Sequence, residues 1–228
     1  MNWFGFRCFL CQQPLAITNH GLCCRCNKTI HRFTYCGHCG MEIARPALHC
    51  GRCLQNEPSW DRIVIIARYM EPLSQLIHRF KFQKSFFLDC TLARLLLLAV
   101  YDARRIYGHT LPDVLIPVPL YHFRQWQRGY NQADLLAQQL SRWLKIPVDN
   151  QLVQRCKHTH TQRGLSATDR RKNLRHAFQL SDKQAKSRYQ SVALIDDVIT
   201  TGSTLNEIAK LLRKAGVQHI QVWGLART

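Results

Sequence analysis

Four Cys-x2-Cys pairs crowd into the first quarter of the chain: Cys8 and Cys11, Cys23 and Cys26, Cys36 and Cys39, Cys50 and Cys53. Two intervening residues let one tight turn present both sulfurs to the same ion, and four soft thiolates in a tetrahedron suit Zn2+. Nine of the eleven cysteines lie between residues 8 and 53, a concentration that scattered buried thiols do not explain. Two successive four-thiolate zinc sites are therefore expected. With every thiolate engaged, both sites are closed, and hence structural rather than catalytic. Spacing alone leaves two matters open: Cys24 could replace Cys23, and the first pair could share an ion with the third. His20, His31, His38 and His49 are spare ligands nearby. Residues 1–57 carry little apolar content of their own, so this zinc-ribbon module is expected to fold only with metal. Cys90 and Cys156 fall outside the pattern and read as small, half-buried residues.

Thiols used as metal ligands belong to a reducing compartment. The N-terminus has no basic stretch followed by a long apolar run and a small-residue cleavage site, and charges bracket the longest apolar run, residues 95–101. A cytoplasmic chain without a membrane span is expected. An apolar fraction of 46% argues against intrinsic disorder despite a formal charge of +18. Eight thiolates and two Zn2+ would lower that charge to +14. The excess is uneven. Residues 151–190 hold ten Lys and Arg against two Asp, so they read as a basic loop that repels itself unless an anion is present.

Beyond a turn-rich boundary at residues 55–59, strands and helices alternate, and a second domain is expected over residues 58–228. Residues 62–69, 113–119, 148–155, 192–195 and 219–225 read as strands. Helices are expected after Pro72 and over residues 88–107, 131–144 and 203–215, with Gly108 and Gly216 ending two of them. This alternation implies an α/β fold, a parallel sheet flanked by helices.

The run Val192-Ala-Leu-Ile-Asp196-Asp197-Val-Ile-Thr200-Thr201-Gly202-Ser203-Thr204 passes from an apolar strand through two acids and a hydroxyl-rich turn into a helix. The helix start offers backbone N–H groups and the positive end of its dipole, and Gly202 permits close approach. Thr200, Thr201, Ser203 and Thr204 add hydroxyl donors, and together these parts form a cradle for a monophosphate. Two carboxylates beside it would repel that phosphate, so they must face hydroxyl donors or a divalent cation. A ribose 5-phosphate satisfies both halves, at the carboxyl end of a parallel strand where open α/β sheets bind ligands.

This segment resembles the 5-phosphoribosyl 1-pyrophosphate (PRPP) motif of type I phosphoribosyltransferases. The resemblance extends along the chain through the Cys-x2-Cys pairs, Leu115-Ile-Pro-Val-Pro-Leu120, Arg128-Gly-Tyr-Asn-Gln132, Gln162-x2-Leu165, Arg170-Arg-Lys-Asn173 and Ala177-Phe178. In that order these motifs resemble the ComF family of competence proteins, a zinc ribbon fused to a phosphoribosyltransferase-type domain and linked to natural transformation and the uptake or use of DNA. The resemblance implies that Asp196 and Asp197 hold the ribose, and that Thr200, Thr201, Gly202, Ser203 and Thr204 hold the 5′-phosphate. It places Arg124 and Arg128 to meet Mg2+-bound pyrophosphate, and assigns the basic stretch near residues 155–175 to a loop closing over PRPP. Catalysis would then rest on positioning, with Asp196, Asp197 and Arg128 around the reacting sugar.

No acceptor-reading pattern stands out, so a PRPP sensor without transferase activity fits the same motif. A second reading is an accessory protein that binds single-stranded DNA and DNA-processing partners. Cations alternate with aromatics in residues 79–87 and 122–130, as in single-strand binders. The competing structural reading makes Phe80, Phe82 and Phe87 core residues and leaves Lys81 and Lys84 solvated.

Overall fold

A computed structural model describes residues 6–17, 20–83, 85–120, 129–156, 177–181 and 189–228. Four strands build the main sheet: β1 (Arg62–Arg68), β2 (Val114–Pro117), β5 (Ser191–Ile199) and β6 (His219–Arg227). They run parallel in the order β1-β6-β5-β2. A parallel sheet is buried on both faces, which explains why its strands are apolar at nearly every position. Along β1 the alternation sorts Val64 and Ile66 into one core and Ile63 and Ile65 into the other; along β5 it sorts Ala193 and Ile195 against Val192 and Leu194.

Helices α3 (Leu73–Phe82), α4 (Asp89–Tyr107) and α5 (Gln132–Leu144) cover the first face, where Leu76, Phe80, Leu92, Leu96 and Leu136 join the core. Gly108 ends α4 in the left-handed conformation, φ 68°, and returns its N–H to the Arg104 carbonyl. Asn131 starts α5, its side chain accepting the Ala133 N–H at 3.0 Å. On the second face lie α6 (Ser203–Lys214) and the antiparallel pair β3 (Val153–Arg155) and β4 (Phe178–Leu180).

Residues 148–155 do not form the single expected strand. Val148 makes only an isolated bridge to Leu115, and the Asp149 carboxylate then accepts the N–H groups of Gln151 and Leu152. That side chain competes with ladder bonds and turns the chain before β3 begins. The strand at residues 192–195 is instead longer than expected and carries both acids within it to Ile199.

The cysteine-rich segment, with its short helices α1 (Cys24–Lys28) and α2 (Gly51–Gln55), is packed on the sheet at β1. An edge strand presents unpaired backbone groups, and here they are answered. Ile63 N–H donates to the Gly37 carbonyl at 2.9 Å, Ile65 N–H to the Tyr35 hydroxyl at 3.4 Å and Arg68 N–H to the His31 carbonyl at 3.4 Å. Cys8, Leu22 and Ile30 enter the first core, whereas Tyr35 enters the second. No helix among the described residues is long and apolar enough to cross a membrane.

Candidate functional site

β5 is an inner strand, so its carboxyl end lies between β6 and β2 and delivers two carboxylates to the rim of the sheet. Asp196 Oδ1 accepts the Asp197 N–H at 2.8 Å. Burial pushes the Asp196 carboxyl up to about 7, and the adjacent Asp197 charge adds to this while Lys81 opposes it. Lys81 Nζ reaches Asp197 Oδ1 from α3 at 2.8 Å, with both side chains largely buried. Asp196 is thus the acid of the pair that carries a proton near neutrality, and Asp197 is the one that pairs with Lys81.

The chain then turns through Thr200 and Thr201, both exposed, to buried Gly202, which starts α6 with φ 73°. A Cβ at Gly202 would lie 2.7 Å from the Trp60 ring, so the position requires glycine both for its conformation and for its space. Thr201 and Ser203 hydroxyls are 2.8 Å apart, and the Ser203 N–H donates to Thr201 Oγ1 at 3.3 Å. No acidic side chain occupies the first turn of α6, so nothing there competes with an incoming anion. Thr204 follows, half-buried in that turn. Arg124, Arg128 and most of the basic stretch, including residues 157–176, lie outside the described residues.

Trp60 joins this turn to the cysteine-rich segment. Its ring underlies Gly202 and its Nε1–H donates to the His38 carbonyl at 2.8 Å. A cleft of about 320 Å³ separates the two parts, with Arg52, Glu57, Trp60, Thr201, Ser203 and Lys210 among its lining. A lone tryptophan after a turn-rich stretch carries no sequence signal for this role. Lys81 did lie in a segment of interest, but the alternation of cations and rings there has another basis. Phe80 is fully buried, Arg79 donates to the Phe9 carbonyl at 2.8 Å, and Lys81 pairs with Asp197. Phe82 and Phe87 remain exposed, at 59% and 49%.

The eight thiols gather as two sets, Cys8 with Cys11, Cys23 and Cys26, and Cys36 with Cys39, Cys50 and Cys53. Consecutive pairs combine, not first with third, and Cys24 stands outside as an exposed thiol. Sulfurs bound at about 2.3 Å around a tetrahedral Zn2+ are roughly 3.8 Å apart. Cys11 and Cys23 are 3.6 Å apart, Cys36 and Cys53 3.7 Å, Cys39 and Cys50 3.6 Å, and Cys50 and Cys53 3.8 Å. Each set could hold one zinc ion. Without a cation, four thiols cannot ionise together. Burial raises Cys26, Cys39 and Cys53, whereas backbone N–H groups overcome burial to bring Cys8 to about 6 and Cys50 to about 7.

Of the four spare histidines, His38 and His49 converge on one another, with Glu57 beside them, while His20 and His31 join no ligand cluster among the described residues.

The doubly covered parallel sheet and the acid pair leading through a hydroxyl-rich turn into α6 define an α/β protein of the phosphoribosyltransferase type, here with two four-thiolate units attached. A family model described as "Phosphoribosyl transferase domain" matches residues 127–227. Competence protein F of Haemophilus influenzae (strain ATCC 51907 / DSM 11121 / KW20 / Rd) is 65% identical over 227 residues, spanning 100% of this chain and 99% of its own length. DNA utilization protein YhgH of Escherichia coli (strain K12) is 46% identical over 222 residues, 97% of this chain and 96% of that protein. Competence protein ComFC of Bacillus subtilis (strain 168) is 28% identical over 218 residues, 92% of this chain and 78% of that protein. The chain belongs to the ComF family of competence proteins.

Proposed function

We propose that the domain over residues 58–228 binds PRPP with Mg2+, and that the chain serves competence-linked uptake or use of DNA in a reducing cytoplasm. The observation that carries this reading is the turn from β5 into α6, which sets Asp196 and Asp197 beside a left-handed Gly202 and an acid-free helix start. Ribose 2′ and 3′ hydroxyls donate to the two carboxylates. The 5′-phosphate accepts from the hydroxyls of Thr200, Thr201, Ser203 and Thr204 and from backbone N–H groups at the start of α6. Hard carboxylate oxygens suit Mg2+, which when bound to pyrophosphate would offset the charge of the leaving group. As the bond from C1 to pyrophosphate breaks, the two carboxylates face an electron-poor sugar, and Arg128 belongs to the pyrophosphate side.

Titration of the full chain with PRPP and Mg2+ by calorimetry tests the reading beside Asp196→Asn and Thr201→Val. Wild type should release heat that both variants lose; equal null heats overturn the assignment. Pyrophosphate release in the presence of a panel of bases and amines then separates a transferase from a PRPP sensor. The exposed rings of Phe82 and Phe87 favour single-stranded DNA as a second ligand. An affinity for it that does not fall as salt rises would count against that reading.

A further inference from the structure

We infer that His38, His49 and Glu57 form a third metal site, of different chemistry from the thiolate pair, for a divalent first-row transition ion with open coordination positions. The candidate ligand atoms of all three residues lie within 4.8 Å of one another. His38 Nδ1 and His49 Nε2 are 3.0 Å apart. Two nitrogens held at about 2.1 Å by one ion stand roughly 3.0–3.4 Å apart for angles near 90–110°, so little movement would admit a metal between them.

The other ring nitrogen of His38 supports this assignment. Nε2 lies 4.0 Å from Glu57 Oε1 and near the Pro58 carbonyl, yet completes no hydrogen bond of normal geometry in a ring only 4% exposed. A histidine bound to metal through Nδ1 places its remaining N–H against a backbone carbonyl or carboxylate, and the Pro58 carbonyl is on offer here, which leaves Glu57 free to act as a ligand. The backbone is held as well, because the His38 carbonyl accepts the Trp60 indole N–H at 2.8 Å. Imidazoles with one carboxylate select a borderline ion such as Zn2+ or Fe2+ over Mg2+.

Both signs of charge face this place, Glu57 and the second cysteine set against Arg62. His38 adjoins Cys39 and His49 adjoins Cys50, so the second thiolate set, carrying −2 with its zinc, is next to the site. Three protein ligands leave positions free, as in catalytic and not structural zinc centres. Glu57 and Pro58 also line the cleft that Thr201 and Ser203 face. Of the three ligands, Glu57 thus reaches the wall of that cleft.

The test uses the full chain with both thiolate sites filled by zinc and Co2+ as the added probe. One equivalent of Co2+ should bind per chain, with weak visible bands and no thiolate charge-transfer band, while two zinc ions stay bound. Glu57→Gln and His49→Ala should each weaken Co2+ binding at least about tenfold, since loss of even an outer-shell partner costs that much. Both altered side chains are exposed, and retention of two zinc ions reports that each variant is folded. Absence of Co2+ binding, binding by either variant as tight as by the parent chain, or a thiolate band with release of zinc would each overturn the proposal and leave His38 and His49 a hydrogen-bonded pair.

Discussion

Lys81 Nζ lies 2.8 Å from Asp197 Oδ1, with the two side chains 17% and 13% exposed. The lysine comes from α3 and the acid from β5, so the ion pair joins a helix over one face to the carboxyl end of an inner strand. It also distinguishes two adjacent acids, since Lys81 pairs with Asp197 while burial raises the carboxyl of Asp196.

Replacement of Lys81 by Met leaves a half-buried carboxylate without its partner. A loss of about 1–3 kcal/mol in unfolding free energy is expected at neutral pH, below the figure for a fully buried pair. Urea denaturation at pH 7.5 measures it, and a variant as stable as the parent would show that the pair contributes nothing.

Asp196 titrates at about 7 in the folded chain against an ordinary value of 3.8. An acid raised in this way disfavours the folded state once ionised. The contribution of Asp196 to stability is therefore fully present below pH 4, lost as pH rises from 4 to 7, and constant above 7, and it is read as the difference between the parent and Asp196→Asn at each pH. Asp196→Asn removes that slope and raises the melting temperature at pH 7.5, as differential scanning fluorimetry across this range would show.

On the proposed binding of PRPP, the acid pair accepts hydroxyl protons and faces a cation, so Asp196 should lose its proton when PRPP and Mg2+ are added. Affinity for Mg2+ and PRPP should rise between pH 6 and 8. Calorimetry in buffers of different ionisation enthalpy should detect about one proton released near pH 6, and no buffer dependence would contradict the coupling.

Gly202→Ala incurs a left-handed backbone penalty of roughly 1–2 kcal/mol and a clash with the Trp60 ring. Unfolding free energy should drop by about 2–4 kcal/mol in all. In a Trp60→Ala background the clash disappears while the backbone penalty stays, so the same substitution should cost about half as much.

Removal of thiolate-bound metal should unfold more than the N-terminal segment, because that segment supplies bonds to β1 and side chains to both cores. A strong chelator is expected to abolish the cooperative thermal transition of the whole chain. Cys36→Ser, at a fully buried thiol, should act likewise, whereas exposed Cys24→Ser should change stability by less than about 0.5 kcal/mol. Circular dichroism with and without chelator decides it.

Patterns of local origin were readable from the residues alone. Cysteine spacing announced two four-thiolate sets, because a two-residue gap is a property of one turn. Alternating apolar strands and helices announced the parallel sheet, and the motif before Thr200 announced two carboxylates at the end of β5, since strand, turn and helix start are contiguous in the chain. Only the fold could decide which pairs of thiols combine, and that Cys23 and not Cys24 enters the first set. It also decided that Lys81 meets Asp197, that Trp60 underlies Gly202, and that His38 and His49 meet Glu57 and not a thiolate set. These partners come from separate elements, so their approach depends on packing and sheet order, which no short stretch of sequence encodes.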